Sequence, residues 1–181
     1  MYVTQAQPNC AQMKKLTTPL HDAAYRCDLA IMKKVVESGT VHIDQVAYGL
    51  MNPIHVVCAQ SKFFPGKSTD CLDFLIQNGA DINVGDIDEM TPLMHSAYAL
   101  HPENIQMLLR AGADSRLQNH SQQGSQTAFT IACLAYHQRY LNGESDDRSK
   151  AAIILLRLNG GDWTKETRLL ESFHVSTLLL P

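Results

Sequence analysis

An all-α solenoid of about four repeats is the fold class this sequence predicts, and three observations predict it. The stretch Thr18-Pro19-Leu20-His21-Asp22-Ala23 returns in degraded form at Asn52-Pro53-Ile54-His55, Thr91-Pro92-Leu93 and Thr127-Ala128-Phe129. Pro19, Pro53, Pro92 and Ala128 follow one another at intervals of 34, 39 and 36 residues, a spacing at which one supersecondary unit stacks on the next. Between these starts the apolar residues fall at helical rather than alternating spacing.

The opening stretch reads T-P-L-H-x-A, the signature that begins the first helix of an ankyrin repeat, whose period is about 33 residues. The second copy closes on Phe74-Leu75-Ile76-Gln77-Asn78-Gly79-Ala80-Asp81-Ile82-Asn83, similar to the family's L-L-x-x-G-A-D-V-N ending. On these residues the chain resembles the ankyrin-repeat family. The resemblance implies helix-turn-helix repeats joined by short finger turns and finished by a C-terminal capping helix. It implies repeats at about 17–46, 47–85, 86–121 and 122–163, an N-terminal arm over 1–16 and a cap or tail over 164–181.

Taken in order, residues 1–16 are polar and predict a loose arm. In the first repeat Thr18 is placed to cap the inner helix and Pro19 to start it, where a missing N–H costs nothing. An outer helix is predicted from about Leu29 to Glu37, with Ser38-Gly39 as its stop. Pro19 to Gly39 is 20 residues, Pro92 to Gly112 is also 20, and Pro53 to Gly79 is 26. The six extra residues of the second copy fall in the breaker-rich run Ser61–Asp70, predicted to be a lengthened helix–helix loop. The polar run Gln118–Gln126 predicts a longer, mobile finger. In the fourth repeat an inner helix is predicted to run to Leu141, a charged loop to span Asn142–Lys150, and an outer helix Ala151–Leu158. The tail carries Leu169, Leu170 and Phe173 on one helical face, then Val175 and Leu178-Leu179-Leu180. That is too apolar for a solvent-facing end and predicts a cap helix or a partner contact.

Composition narrows the function classes. The chain has 181 residues, 45% hydrophobic and 18% charged, with a net charge of −3. Such a balance suits one well-filled domain and gives no general attraction to nucleic acid. No apolar run approaches the ~20 residues a membrane helix needs, and the first residues lack the pattern of a signal peptide. Five cysteines, odd in number and never C-x-x-C, predict free thiols and a reducing compartment, cytoplasmic and possibly also nuclear.

Each chemical reading meets a simpler one. Cysteines and histidines together invite zinc, but no ligands pair at short spacing. Cys58 and Cys133 occupy the small-residue slot filled elsewhere by Ala24 and Ala97, and Cys71 an outer-helix aliphatic slot. Cys27, at a helix–helix turn, is the repeat cysteine expected to be reachable, though with no identifiable orienting partner. Asp81, Asp86, Asp88 and Glu89 suggest calcium, but Asp86 and Pro92 stand where an EF-hand loop wants Gly and Glu. Phosphate-binding glycine motifs are missing. The expectation is therefore a non-enzymatic chain with no metal, cofactor or small-molecule substrate.

What the resemblance implies is a protein partner bound on the concave face of finger tips and inner helices. Carried over by register, the groove slots are Lys14, Lys15, Tyr25 and Arg26, then Tyr48, Leu50, Met51 and Gln60, then Ile87, Asp88, Met90 and Tyr98. Tyrosine, arginine and methionine are enriched at interface cores. Lys14, Lys15 and Arg26 at one end, against Asp86, Asp88 and Glu89 further on, would orient a partner. Phe63-Phe64 in the lengthened loop is a second candidate surface. Asn83 matches the ankyrin-loop position that asparaginyl hydroxylases modify. Small ankyrin-only proteins act on protein kinases, Rel-type transcription factors or ubiquitin-ligase assemblies. The expectation is a regulatory or adaptor subunit, of a protein kinase first, with a ubiquitin-ligase substrate receptor as the neighbouring reading.

Overall fold

The computed structural model describes residues 18–160, apart from 122, 123 and 145. The expected arm over 1–16, with Lys14 and Lys15, and the expected cap over 164–181 lie outside the described residues. Eight α-helices occur among those described: α1 Pro19–Tyr25, α2 Leu29–Glu37, α3 Pro53–Gln60, α4 Pro65–Gln77, α5 Pro92–Tyr98, α6 Pro102–Arg110, α7 Ala128–Leu141 and α8 Asp147–Leu158. A 3-10 turn covers Tyr48–Leu50, and strands β1 Asn119–Ser121 and β2 Gly124–Gln126 precede α7.

The helices form two layers. α1, α3, α5 and α7 stack successively in one, and α2, α4, α6 and α8 in the other, each inner helix packing on its own outer partner. The core runs between the layers through Leu20, Met32, Ile54, Leu72, Leu75, Leu93, Ile105, Leu108, Ile153 and Leu156, all fully buried. Ala24, Cys58, Ala97 and Cys133 lie in it at equivalent positions, small enough for the helices to approach closely.

Local chemistry starts and stops the helices. Oγ1 of Thr18, Thr91 and Thr127 accepts from the N–H three residues on, and each threonine caps an inner helix. Gly39, Gly79, Gly112 and Gly160 follow the four outer helices with φ of 65°, 82°, 98° and 111°, the left-handed closure an L side chain disfavours. The inner-to-outer turns of the first and third repeats use the same region without glycine, at Cys27 (φ 48°) and Leu100 (φ 55°).

Three expectations are corrected. The Ser61–Asp70 surplus is a loop only as far as Phe64; from Pro65 it is helix, so α4 has 13 residues where α2 and α6 have 9. Pro65 is a favourable first helical residue, and Ser68 is buried with its Oγ donating to the Pro65 carbonyl at 3.0 Å. The Gln118–Gln126 run, expected as a mobile finger, contains an antiparallel hairpin pairing Asn119 with Gln126, His120 with Ser125 and Ser121 with Gly124. Buried Asn119 holds it, Oδ1 accepting from the Gln126 N–H at 2.9 Å. The last outer helix begins at Asp147 rather than Ala151, because Asp146 Oδ1 accepts from the Ser149 N–H at 2.7 Å and caps it.

Candidate protein-interaction surface

Finger geometry is built by side chains that answer backbone groups about 30 residues away. His21 Nε2 lies 2.9 Å from the Met51 carbonyl oxygen, and His55 Nε2 2.9 Å from that of Val84. His55 Nδ1 accepts from the Asn52 N–H at 3.0 Å, which makes His55 a neutral ring donating through Nε2. Burial lowers its pKa to about 4, helped by the neighbouring His95. Lower on each finger, Asp44 Oδ1 accepts from the Asp81 N–H at 3.1 Å and Asn83 Oδ1 from the Asp114 N–H at 2.9 Å. Each finger is thus tied to the next by the same device.

The tips touch as well. The Ile87 N–H donates to the Gly49 carbonyl at 2.8 Å, and the His120 N–H to the Asp88 carbonyl at 3.3 Å. Within each finger a homologous bond closes the tip, Ala47 N–H to Met51 carbonyl at 2.9 Å and Asp86 N–H to Met90 carbonyl at 3.1 Å.

On this frame the side chains expected in the groove are placed as follows. Tyr25 and Tyr98 end α1 and α5 at equivalent positions, 56% and 62% exposed, and half-buried Ala59 fills the same slot of α3 between them. Leu50 and Ile87, in adjacent finger tips, are 55% and 66% exposed. Arg26 and Asp88 are exposed; Met51, Gln60 and Met90 are half-buried. Nothing is described of the Tyr48 side chain. Phe63 and Phe64 stand out at the α3–α4 turn, Phe63 at 67% exposure.

Two readings of single residues change. Asp86 is not a free groove acid. Its Oδ1 accepts from the Asp88 and Met90 N–H groups, both at 2.9 Å, and its Oδ2 lies 2.8 Å from His95 Nε2. Burial raises its pKa, but the His95 hydrogen bond and charge and the finger N–H groups outweigh it and hold the carboxyl below its usual range. Cys27, expected to be reachable, is 3% exposed and belongs to the core; its left-handed backbone turns the side chain inward. Periodicity could not show either fact, since both depend on what packs against the residue once the chain has folded.

A family model described as ankyrin repeats (3 copies) matches residues 20–119 and 55–143, most of the chain. The chain belongs to the ankyrin-repeat family. The crystal structure of the human ASB11 ankyrin repeat domain is similar, with a TM-score of 0.62 at 20% identity, over 81% of this chain and 56% of that one. That likeness shows the fold, and this chain spans little more than half of that domain. Ankyrin repeats are protein-interaction modules, and this chain is one by its fold. Among the described residues no helix is long and apolar enough to cross a membrane, and no three His, Cys, Asp or Glu side chains gather in a way that could hold a metal ion.

Proposed function

We propose that this ankyrin-repeat chain is a regulatory or adaptor subunit that captures a protein partner on its concave face. The observation that carries the reading is the exposed apolar set Tyr25, Leu50, Ile87 and Tyr98, spread over three successive repeats that hydrogen bonds tie into one frame. The helices and fingers close without these four side chains. Their apolar surface is therefore free to be buried by a partner, at about 25 cal/mol per Å², and aromatic anchors of this kind carry most of the energy of an interface. The matching partner surface presents aliphatic or aromatic side chains to the groove, and a basic group to Asp88 at the finger edge.

Affinity capture with quantitative mass spectrometry tests this, comparing wild type, Tyr25→Ala/Tyr98→Ala and Phe63→Ala/Phe64→Ala. Both variants alter exposed positions and are expected to keep the fold. The expected result is loss of the captured partner with the tyrosine variant and retention with the phenylalanine variant. Equal capture by all three ends the groove reading, and the reverse pattern moves the interface to the α3–α4 turn. A regulatory subunit of a protein kinase and a substrate receptor of a ubiquitin ligase predict different co-purifying proteins, so the same experiment separates them.

A further inference from the structure

Two of the inner-to-outer turns overhang the edge of the stack that faces away from the fingers. α5 and α7 both start at a finger from a capping threonine, and α4 and α6 both return to one and close on a left-handed glycine. Extra residues in these helices therefore lie at the opposite edge, where inner helix turns into outer. α7 has 14 residues against 7 in α5, and α4 has 13 against 9 in α6. At about 1.5 Å per residue, the excess carries the α3–α4 turn roughly 6 Å and the α7–α8 turn roughly 10 Å beyond the α5–α6 turn.

Both overhangs are pinned to the short turn between them. From the second repeat, Thr69 Oγ1 donates to Asn104 Oδ1 at 2.9 Å. From the fourth, Arg139 Nη2 donates to the Ala99 carbonyl at 3.0 Å and Arg148 Nη2 to Glu103 Oε2 at 2.7 Å. Ala99, Leu100 and His101 are buried beneath them. The two turns thus hold fixed places on one edge, on either side of the third repeat.

Each turn presents an exposed apolar pair, and the charges beside the two pairs are opposite. Phe63 and Phe64 stand between exposed Lys62 and Lys67, and residues 61–67 hold no acid. Tyr140 and Leu141 are 54% and 64% exposed. Glu144, Asp146 and Asp147 follow them, and residues 142–147 hold no base. Nearby cations do not cancel this turn: Arg148 is engaged by Glu103, and Lys150 pairs with Asp147 alone. Asp146 caps α8. Among the described residues no ion pair engages Lys62, Lys67 or Glu144.

We propose that this edge is a self-association surface, on which a second copy of the chain docks about a two-fold axis through the α5–α6 turn. The Phe63-Phe64 turn of one copy then meets the Tyr140-Leu141 turn of the other, and the same contact forms twice. The apolar pairs leave water together, while Lys62 and Lys67 face Glu144 and Asp147. A partner for this edge must match two apolar pairs and two opposite charges in order. An antiparallel second copy supplies all four. None of the groove residues Tyr25, Leu50, Ile87 and Tyr98 takes part in this contact.

Sedimentation velocity of the full chain over a concentration series tests this. The expected mass rises from the 20.1 kDa of one chain toward twice that value, and falls back as salt screens the charged contacts. Lys62→Glu/Lys67→Glu makes both turns acidic, and Glu144→Lys/Asp147→Lys makes both basic. Each variant alone should stay monomeric, and an equimolar mixture should dimerise, because opposite signs then meet at both contacts. Phe63→Ala/Phe64→Ala should abolish the dimer in either setting. Three results overturn the proposal: a wild type that is monomeric at every concentration, dimers that both charge variants leave intact, or a monomeric mixture of variants whose circular dichroism is native. The wild-type mass decides the first of these even where a variant fails to fold.

Discussion

His55 Nε2 stands 2.9 Å from the carbonyl oxygen of Val84, so one buried imidazole joins the start of α3 to the finger of its own repeat. The bond requires the neutral ring. At its usual pKa of 6.5 an unfolded histidine takes up a proton that folded His55 refuses until about pH 4. A folded pKa depressed in this way contributes stability that is fully present above pH 6.5 and is lost as pH falls from there toward 4.

The expected outcome is that stability measured by urea unfolding drops by roughly 3 kcal/mol between pH 7 and pH 4 on account of His55. His21 and His101 add to the loss in the same direction, since burial lowers both. Asp86 does not contribute in this window, because its lowered pKa acts only below its usual 3.8. His55→Gln should flatten the dependence while lowering stability at pH 7 by about 2 kcal/mol. An unchanged pH profile in that variant would assign the acid sensitivity elsewhere.

The finger-to-finger acceptors Asp44 and Asn83 predict a matched pair of effects. Asp44→Ala and Asn83→Ala each leave one finger N–H, of Asp81 and of Asp114, without its partner. Both N–H groups are near solvent, so each substitution should lower stability by about 1 kcal/mol, read from denaturant midpoints. A loss above about 3 kcal/mol would mean that the ladder couples repeats cooperatively.

We also propose Asn83 as a hydroxylation site, on its match to the ankyrin-loop pattern and its exposed turn. The peptide carrying Asn83, taken from protein made in its own cells, should gain about 16 Da, one oxygen atom. Its unmodified mass would remove the proposal.

The two left-handed inner-to-outer turns, at Cys27 and Leu100, predict unequal responses to one substitution. Leu100→Gly relieves backbone strain of about 1 kcal/mol but empties a core position, and should destabilise the chain by roughly 2–3 kcal/mol. Cys27→Gly gives up much less burial for the same relief, and should stay within about 1 kcal/mol of wild type. Thermal unfolding of the two variants side by side decides this; equal losses would show that Cys27 packs as strongly as Leu100.

Much of the fold was legible because local rules repeat. Thr18, Thr91 and Thr127 cap their helices by the same bond, and α2 spans Leu29–Glu37, the bounds its apolar spacing predicts. The legible rules failed where two signals competed. Pro65-Gly66 reads as a breaker in isolation, yet proline starts a helix well, and buried Ser68 with Thr69 meets Asn104 of α6, which rewards extending α4. Asp86 reads as a surface acid because four carboxylates crowd the stretch; only the His95 ring above it shows that the charge is already engaged.

By itself, then, the order of residues determined the number and phase of the helices, because caps, prolines and apolar spacing act within a few residues of one another. It also determined which slots the scaffold leaves free, Tyr25 and Tyr98 among them. The tertiary structure alone decided which groups meet: His21 with the Met51 carbonyl, Asn83 with the Asp114 N–H, Asp44 with the Asp81 N–H. Those pairs lie 30, 31 and 37 residues apart, and stacking one repeat on the next brings them within reach. Helical periodicity describes one element's face and carries no information about what packs against it.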